Sequence, residues 1–153
     1  MERSGIEGYD ERQKSLRYKF GYQAFYVLAV LILVNAYICE FMYEWADTMV
    51  AAVIAVMLSI FYFGYRTIFA GAYTGDKVSE RRTAILIPVC MVGILASSLY
   101  VLPHIIDGRA PLIEDGKATV SFLSVFNTAS FVPFTIAYYA KRTRDQRRSD
   151  DKE

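Results

Sequence analysis

The chain is predicted to be an all-α polytopic membrane protein with four transmembrane helices and both termini in the cytoplasm. Three observations carry that prediction: four long stretches without a charge, an uneven sharing of lysine and arginine among the segments between them, and aromatic residues gathered at their ends. Asp, Glu, Lys and Arg make up 22% of the 153 residues, yet none falls within 20–39, 48–65, 83–106 or 118–140. A helix needs about 20 mostly apolar residues to cross the roughly 30 Å of hydrocarbon in a bilayer. Helices of a soluble bundle would show a polar face at every turn, whereas 29–34 and 49–58 are apolar all the way round. Backbone groups in lipid must be paired within the segment, so spans of this length form helices. The alternating ten-residue segments of a membrane barrel are missing.

The expected organisation is a basic cytoplasmic helix start over 1–19, a transmembrane domain over 20–140 and a charged cytoplasmic tail over 141–153. The spans are placed at about 20–39, 47–65, 83–103 and 119–140. The first follows some twenty mostly polar residues and ends on no small-x-small site, which does not fit a cleaved leader. Ile38 before Cys39 does not fit a lipoprotein site. The tail is expected to fray within a turn or two of Lys141.

Orientation follows from the basic residues. Arg3, Arg12, Lys14, Arg17 and Lys19 precede the first span, Arg66, Lys77, Arg81 and Arg82 lie between the second and third, and six more follow the fourth. The first connection has none and the third only Arg109 and Lys117. Alternate segments thus hold fifteen and two, and the positive-inside rule puts the fifteen in the cytoplasm. Rings cluster where the spans end: Tyr18, Phe20, Tyr22, Phe25 and Tyr26; Phe41, Tyr43 and Trp45; Phe61, Tyr62, Phe63 and Tyr65; Tyr138 and Tyr139. An interfacial belt accounts for such clusters.

The first helix is predicted to start at Asp10, with Gln13 reaching back to the cap, and to run unbroken from Glu11 into the span. Leu16, Phe20 and Ala24 then share one face, leaving Arg12, Lys14, Arg17 and Lys19 to meet anionic headgroups. Ser79-Glu-Arg-Arg82 repeats the cap–Glu–Arg order before the third span. The Asp10-Glu11-Arg12 start, the basic residues after it, and Gly21-Tyr22-Gln23-Ala24-Phe25 ahead of four hydrophobic spans resemble the small uncharacterised four-helix membrane-protein families of bacteria. That resemblance implies a multi-pass protein and brings no assigned active site.

Within the spans there is no carboxylate, Lys or Arg, the usual mark of ion-coupled transport. The candidate intramembrane polar contacts are Asn35, Ser124, Asn127 and Thr128, and the similar depth of Asn35 and Asn127 predicts that they touch. Ser121, Ser124, Asn127, Thr128 and Thr135 form a polar stripe on the fourth helix. Small residues at Ala51, Ala55 and Ser59, and at Gly93 and Ser97, suit close helix approach. Pro88 and Pro133 interrupt the third and fourth spans. Cys39 and Cys90 lie at depths on the order of 20 Å apart along the helix rise, so both are expected to be free thiols.

The spacing of the acidic residues outside matches no calcium loop, and Asp107-Gly108 and Asp115-Gly116 are expected turns. No nucleophile–base pair or metal set is present in the sequence, so no catalytic, cofactor or metal site is expected. A net charge of +1 argues against nucleic acid as a partner. The expected partners are the lipid bilayer of the cell membrane and another membrane protein or a second copy. The expected role is a non-enzymatic interaction or regulatory subunit. The alternative is a small-solute transporter or channel using the polar stripe of the fourth helix.

Overall fold

In the computed structural model, which describes residues 9–73 and 77–150, the chain forms four long helices and one two-stranded hairpin. These are α1 (Glu11–Phe41), α2 (Thr48–Phe69), α3 (Lys77–Ile106), β1 (Ile113–Glu114), β2 (Lys117–Ala118) and α4 (Val120–Asp150). All four helices are long and apolar enough to cross a membrane. Arg3 and Lys152, used in the charge count, and the side chains of Ser79–Arg82 lie outside the described residues.

Helix α1 starts where the sequence places it. Asp10 is extended (φ −60°, ψ 150°), and its backbone N–H donates to Gln13 Oε1 at 3.3 Å. Phe20 and Ala24 are buried, on the face shared with Leu16. Helix α2 runs past Tyr65 to Phe69, with the Arg66 guanidinium 4.9 Å over the Phe20 ring. Gly71, at φ 69°, terminates α2. The Ala72 N–H donates to Thr67 O at 2.9 Å and the Gly71 N–H to Ile68 O at 3.1 Å, the paired bonds of a Schellman end. Gly108 closes α3 in the same way, with Arg109 N–H on His104 O at 2.9 Å. Helix α3 passes through Pro88 and Pro103, and α4 through Pro133.

Helix α4 extends nearly three turns past Ala140, further than the expected fraying allows. Lys141 Nζ holds Asp145 Oδ1 one turn on at 2.8 Å, and Tyr73 Oη donates to Asp145 Oδ2 at 3.2 Å. The charged segment therefore has local and long-range partners.

Among the described residues the extensive contacts are α1 on α2, α2 on α4 and α4 on α3. The helices form a row in the order α1-α2-α4-α3. Two buried clusters lie toward opposite ends of the helices. Ala46, Val50, Ala51, Ile54, Ala118 and Leu123 pack beside the hairpin; Ile68, Ile87 and Tyr138 pack at the basic end. Gly64 lets α2 and α4 approach closely, since a Cβ there would sit 2.4 Å from Phe134 Cε2.

The rings gathered at the helix ends divide between surface and core. Tyr18, Tyr22, Phe25, Tyr26, Phe41 and Tyr43 are exposed on the helix row, but Phe20, Phe61 and Tyr138 are buried. These three face neighbouring helices, where a large ring buries much apolar area.

Candidate functional site

The polar groups of the apolar helices fall into separate small networks. On α4, Thr128 Oγ1 donates to Ser124 O at 3.1 Å and meets Ser98 Oγ of α3 at 2.5 Å. Ser98 Oγ also lies 3.1 Å from Ser124 O. Thr135 turns back to Phe131 O at 2.9 Å. Ser124 and Thr128 therefore join α3 to α4, as hydroxyl groups do where an unpaired donor in an apolar setting would be costly.

Asn35 and Asn127 do not meet. Asn35 Oδ1 accepts from Trp45 Nε1 at 2.7 Å and from Cys39 Sγ at 3.8 Å. Asn127 Oδ1 is buried without a hydrogen-bond partner. Similar depth was the ground for expecting contact. In the row α1-α2-α4-α3, α2 separates the two helices that carry these residues. The indole of Trp45, ten residues on, reaches Asn35 first.

Small residues mark two ridges with different fates. Ala51, Ala55 and Ser59 of α2 are buried, and Ser59 Oγ donates to Ala24 O of α1 at 2.6 Å. Gly93 and Ser97 of α3 are exposed, and no heavy atom of a neighbour lies within 4 Å of a Cβ built on Gly93. Cys90, one turn before Gly93, is exposed as well, and both cysteines are free.

At the basic end, two side chains of α1 cap the end of α2. Gln13 Nε2 donates to Gly71 O at 3.2 Å and Arg17 Nη1 to Ala72 O at 3.2 Å. The Arg17 guanidinium also lies 4.5 Å over the Tyr9 ring and 5.7 Å over that of Phe63. The carbonyls left open by the helix terminus and the two ring faces fix the guanidinium in place. Gly71 was the sequence signal for this arrangement, since a glycine just beyond a helical run marks an exposed set of carbonyls.

At the opposite end the two connections are tied together. Asp115 and Gly116, at φ 49° and 79°, make the tight turn of the β1–β2 hairpin, both central residues lying in the left-handed region. Ala118 bridges to Ala46 in parallel, with its N–H on Trp45 O at 2.8 Å. Lys117 Nζ pairs with Glu44 Oε2. The ammonium holds the Glu44 carboxyl below the usual carboxylate range, by hydrogen bond and by charge, and Glu44 in turn raises Lys117. No three His, Cys, Asp or Glu side chains form a metal-holding group among the described residues.

The model of a family of unknown function, DUF6773, matches residues 4–153. No curated protein and no solved structure matches the chain.

Proposed function

The chain belongs to the DUF6773 family, and from that premise we propose a multi-pass protein of a bacterial cell membrane, both termini cytoplasmic, acting as a non-enzymatic interaction subunit. The observation that carries this reading is the outward ridge of α3. Cys90, Gly93 and Ser97 share one face of that helix, and the face is open. The comparable ridge of α2 is buried in the helix row and hydrogen-bonded to α1. Small residues allow two membrane helices to approach at the backbone. A second copy of α3 presents the complementary ridge, so self-association is the simplest use. Purification in a mild detergent tests this. The wild type should run as a defined oligomer, and Gly93→Leu should shift it toward monomer. A wild-type monomer without a co-purifying partner overturns the proposal.

A second reading, passage of a small solute along α4, has one observation in its favour, the buried Asn127 Oδ1 without a partner. Under that reading Asn127→Leu abolishes solute flux in proteoliposomes, and unchanged flux removes it.

A further inference from the structure

Helix α1 carries a groove of about 540 Å³ lined by Tyr9, Lys14, Arg17, Tyr22 and Phe25 and by Phe63 of α2. The α1 residues keep the spacing of one helix face. From Lys14 to Phe25 the groove runs roughly 16 Å along the helix axis. Its character changes along that length. The two cations stand at the basic end, and Tyr22, Phe25 and Phe63 follow toward the middle of the helix.

Arg17 is the organising residue. Of its five N–H donors, one is bound to Ala72 O, and the Tyr9 and Phe63 rings hold the guanidinium plane. Among the described residues no carboxylate pairs with it. Lys14 stands one turn away, with Glu11 Oε1 at 2.7 Å on its outer side. The groove therefore holds a fixed planar fork, met by no carboxylate among the described residues, beside an ammonium that Glu11 meets. A planar fork of this kind matches phosphate geometry bidentately.

We propose that this groove binds the phosphodiester headgroup of an anionic phospholipid. Arg17 and Lys14 take the phosphate, and Tyr22, Phe25 and Phe63 line the start of the acyl chains. The proposal rests on the membrane reading above. It differs from general attraction of a basic segment to an anionic surface, because Arg12 and Lys19 are exposed on the same helix turns and lie outside the groove. A soluble phosphate shares the headgroup chemistry but would leave the apolar half of the groove unused.

The test uses the full chain, delipidated in a zwitterionic detergent and offered phosphatidylglycerol, phosphatidylcholine or inorganic phosphate. Bound lipid is counted by native mass spectrometry. Surface contacts of Lys and Arg with anionic lipid each favour binding about fivefold, so two in one groove give a preference for phosphatidylglycerol over phosphatidylcholine of roughly thirtyfold. Arg17→Gln and, separately, Lys14→Gln should each reduce that preference to about fivefold. Lys14→Gln leaves the cap on α2 untouched, so it remains informative if Arg17→Gln fails to fold. Arg12→Gln and Lys19→Gln should keep the preference within about twofold of wild type.

Equal loss in all four variants, or no preference in the wild type, overturns the groove. Displacement of phosphatidylglycerol by millimolar inorganic phosphate overturns the lipid as its occupant. Recovery of the chain in the supernatant without detergent instead overturns the membrane reading itself.

Discussion

Gly64→Ala is the sharpest probe of how the row of helices is held. A Cβ at position 64 would stand 2.4 Å from Cε2 and 2.9 Å from Cζ of Phe134. Carbon atoms in contact prefer about 3.5–4.0 Å, so the ring would have to retreat by more than about 1 Å. It has little room to do so. The ring centroids of Phe61, Tyr65 and Phe131 lie 5.7, 5.4 and 5.9 Å from that of Phe134. Overpacking at such a site costs about 1–3 kcal/mol, and the better helix propensity of alanine returns up to about 1 kcal/mol. Because the ring must move by more than about 1 Å, the overpacking cost falls in the upper part of that range, and the expected net loss is about 1–2 kcal/mol. Unfolding in mixed micelles can be followed by the fluorescence of Trp45, the single tryptophan. In a Phe134→Leu background the shorter side chain makes room for the new methyl, and Gly64→Ala should become neutral or stabilising. Gly21→Ala, whose Cβ would stand 3.9 Å from Phe63, serves as a control without a stability loss. If Gly64→Ala cost nothing, or cost the same in both backgrounds, the close α2–α4 approach would be refuted.

Thr128→Val removes one side of the Ser98–Thr128 contact, and an average membrane hydrogen bond of this kind is worth about 0.6 kcal/mol. A loss above about 1.7 kcal/mol in the same unfolding assay would mean that Thr128 does more than join helices. A bis-maleimide should link two copies of the wild type through Cys90, and Cys90→Ser should abolish the linked dimer; linkage persisting through Cys39 would place the contact elsewhere. The Glu44–Lys117 pair should open under acid. The Glu44 carboxyl is lowered in the fold, so its contribution is present above the ordinary carboxylate value and is lost as the pH falls through the lowered one. Lys117 is raised, so its contribution is present below the ordinary lysine value and is lost only as the pH rises through the raised one. The protection of the Ala118 amide, its exchange rate set against the intrinsic rate at the same pH, should therefore fall at acid pH, and Glu44→Gln should show the lower protection already at neutral pH.

Charge patterning made the four helices legible, because a run without Asp, Glu, Lys or Arg can be located by inspection and its length compared with a bilayer. The start of α1 was legible because capping is local: Asp10 and Gln13 meet within one turn. Neighbour choice was not legible, and the reason is physical. A helix that is apolar all round carries no polar stripe to say which face turns inward, so Ile54, buried, and Ile60, exposed, look alike in sequence. The deciding quantity is shape, and it resides in pairs far apart in the chain, such as Gly64 with Phe134. Asn35 and Asn127 show the same gap from the other side. Depth along a helix can be counted from the sequence, but contact also needs adjacency, and adjacency in the order α1-α2-α4-α3 depends on which ridges fit. The β1–β2 turn was visible in Asp115-Gly116, whereas its bridge to Ala46 joins two connections that only the packed row brings together.

The same logic separates the two ends of the molecule. At the hairpin end the connections tie to each other, through Ala46–Ala118 and Glu44–Lys117. At the basic end the polar groups of α1 go to the last carbonyls of α2, through Gln13 and Arg17. Arg17 therefore has two loads on one side chain: it satisfies a helix terminus and it presents charge to the groove. Arg17→Lys separates them, since an ammonium keeps the charge but lacks the planar fork and the stacking area. If holding α2 is its main work, Arg17→Lys should lower stability and leave the phosphatidylglycerol preference of the folded protein intact. If the fork itself recognises the phosphate, the preference should fall while Gln13 still holds Gly71 and the fold persists. The groove geometry favours the second outcome, and measuring unfolding and lipid retention on the same variant decides between them.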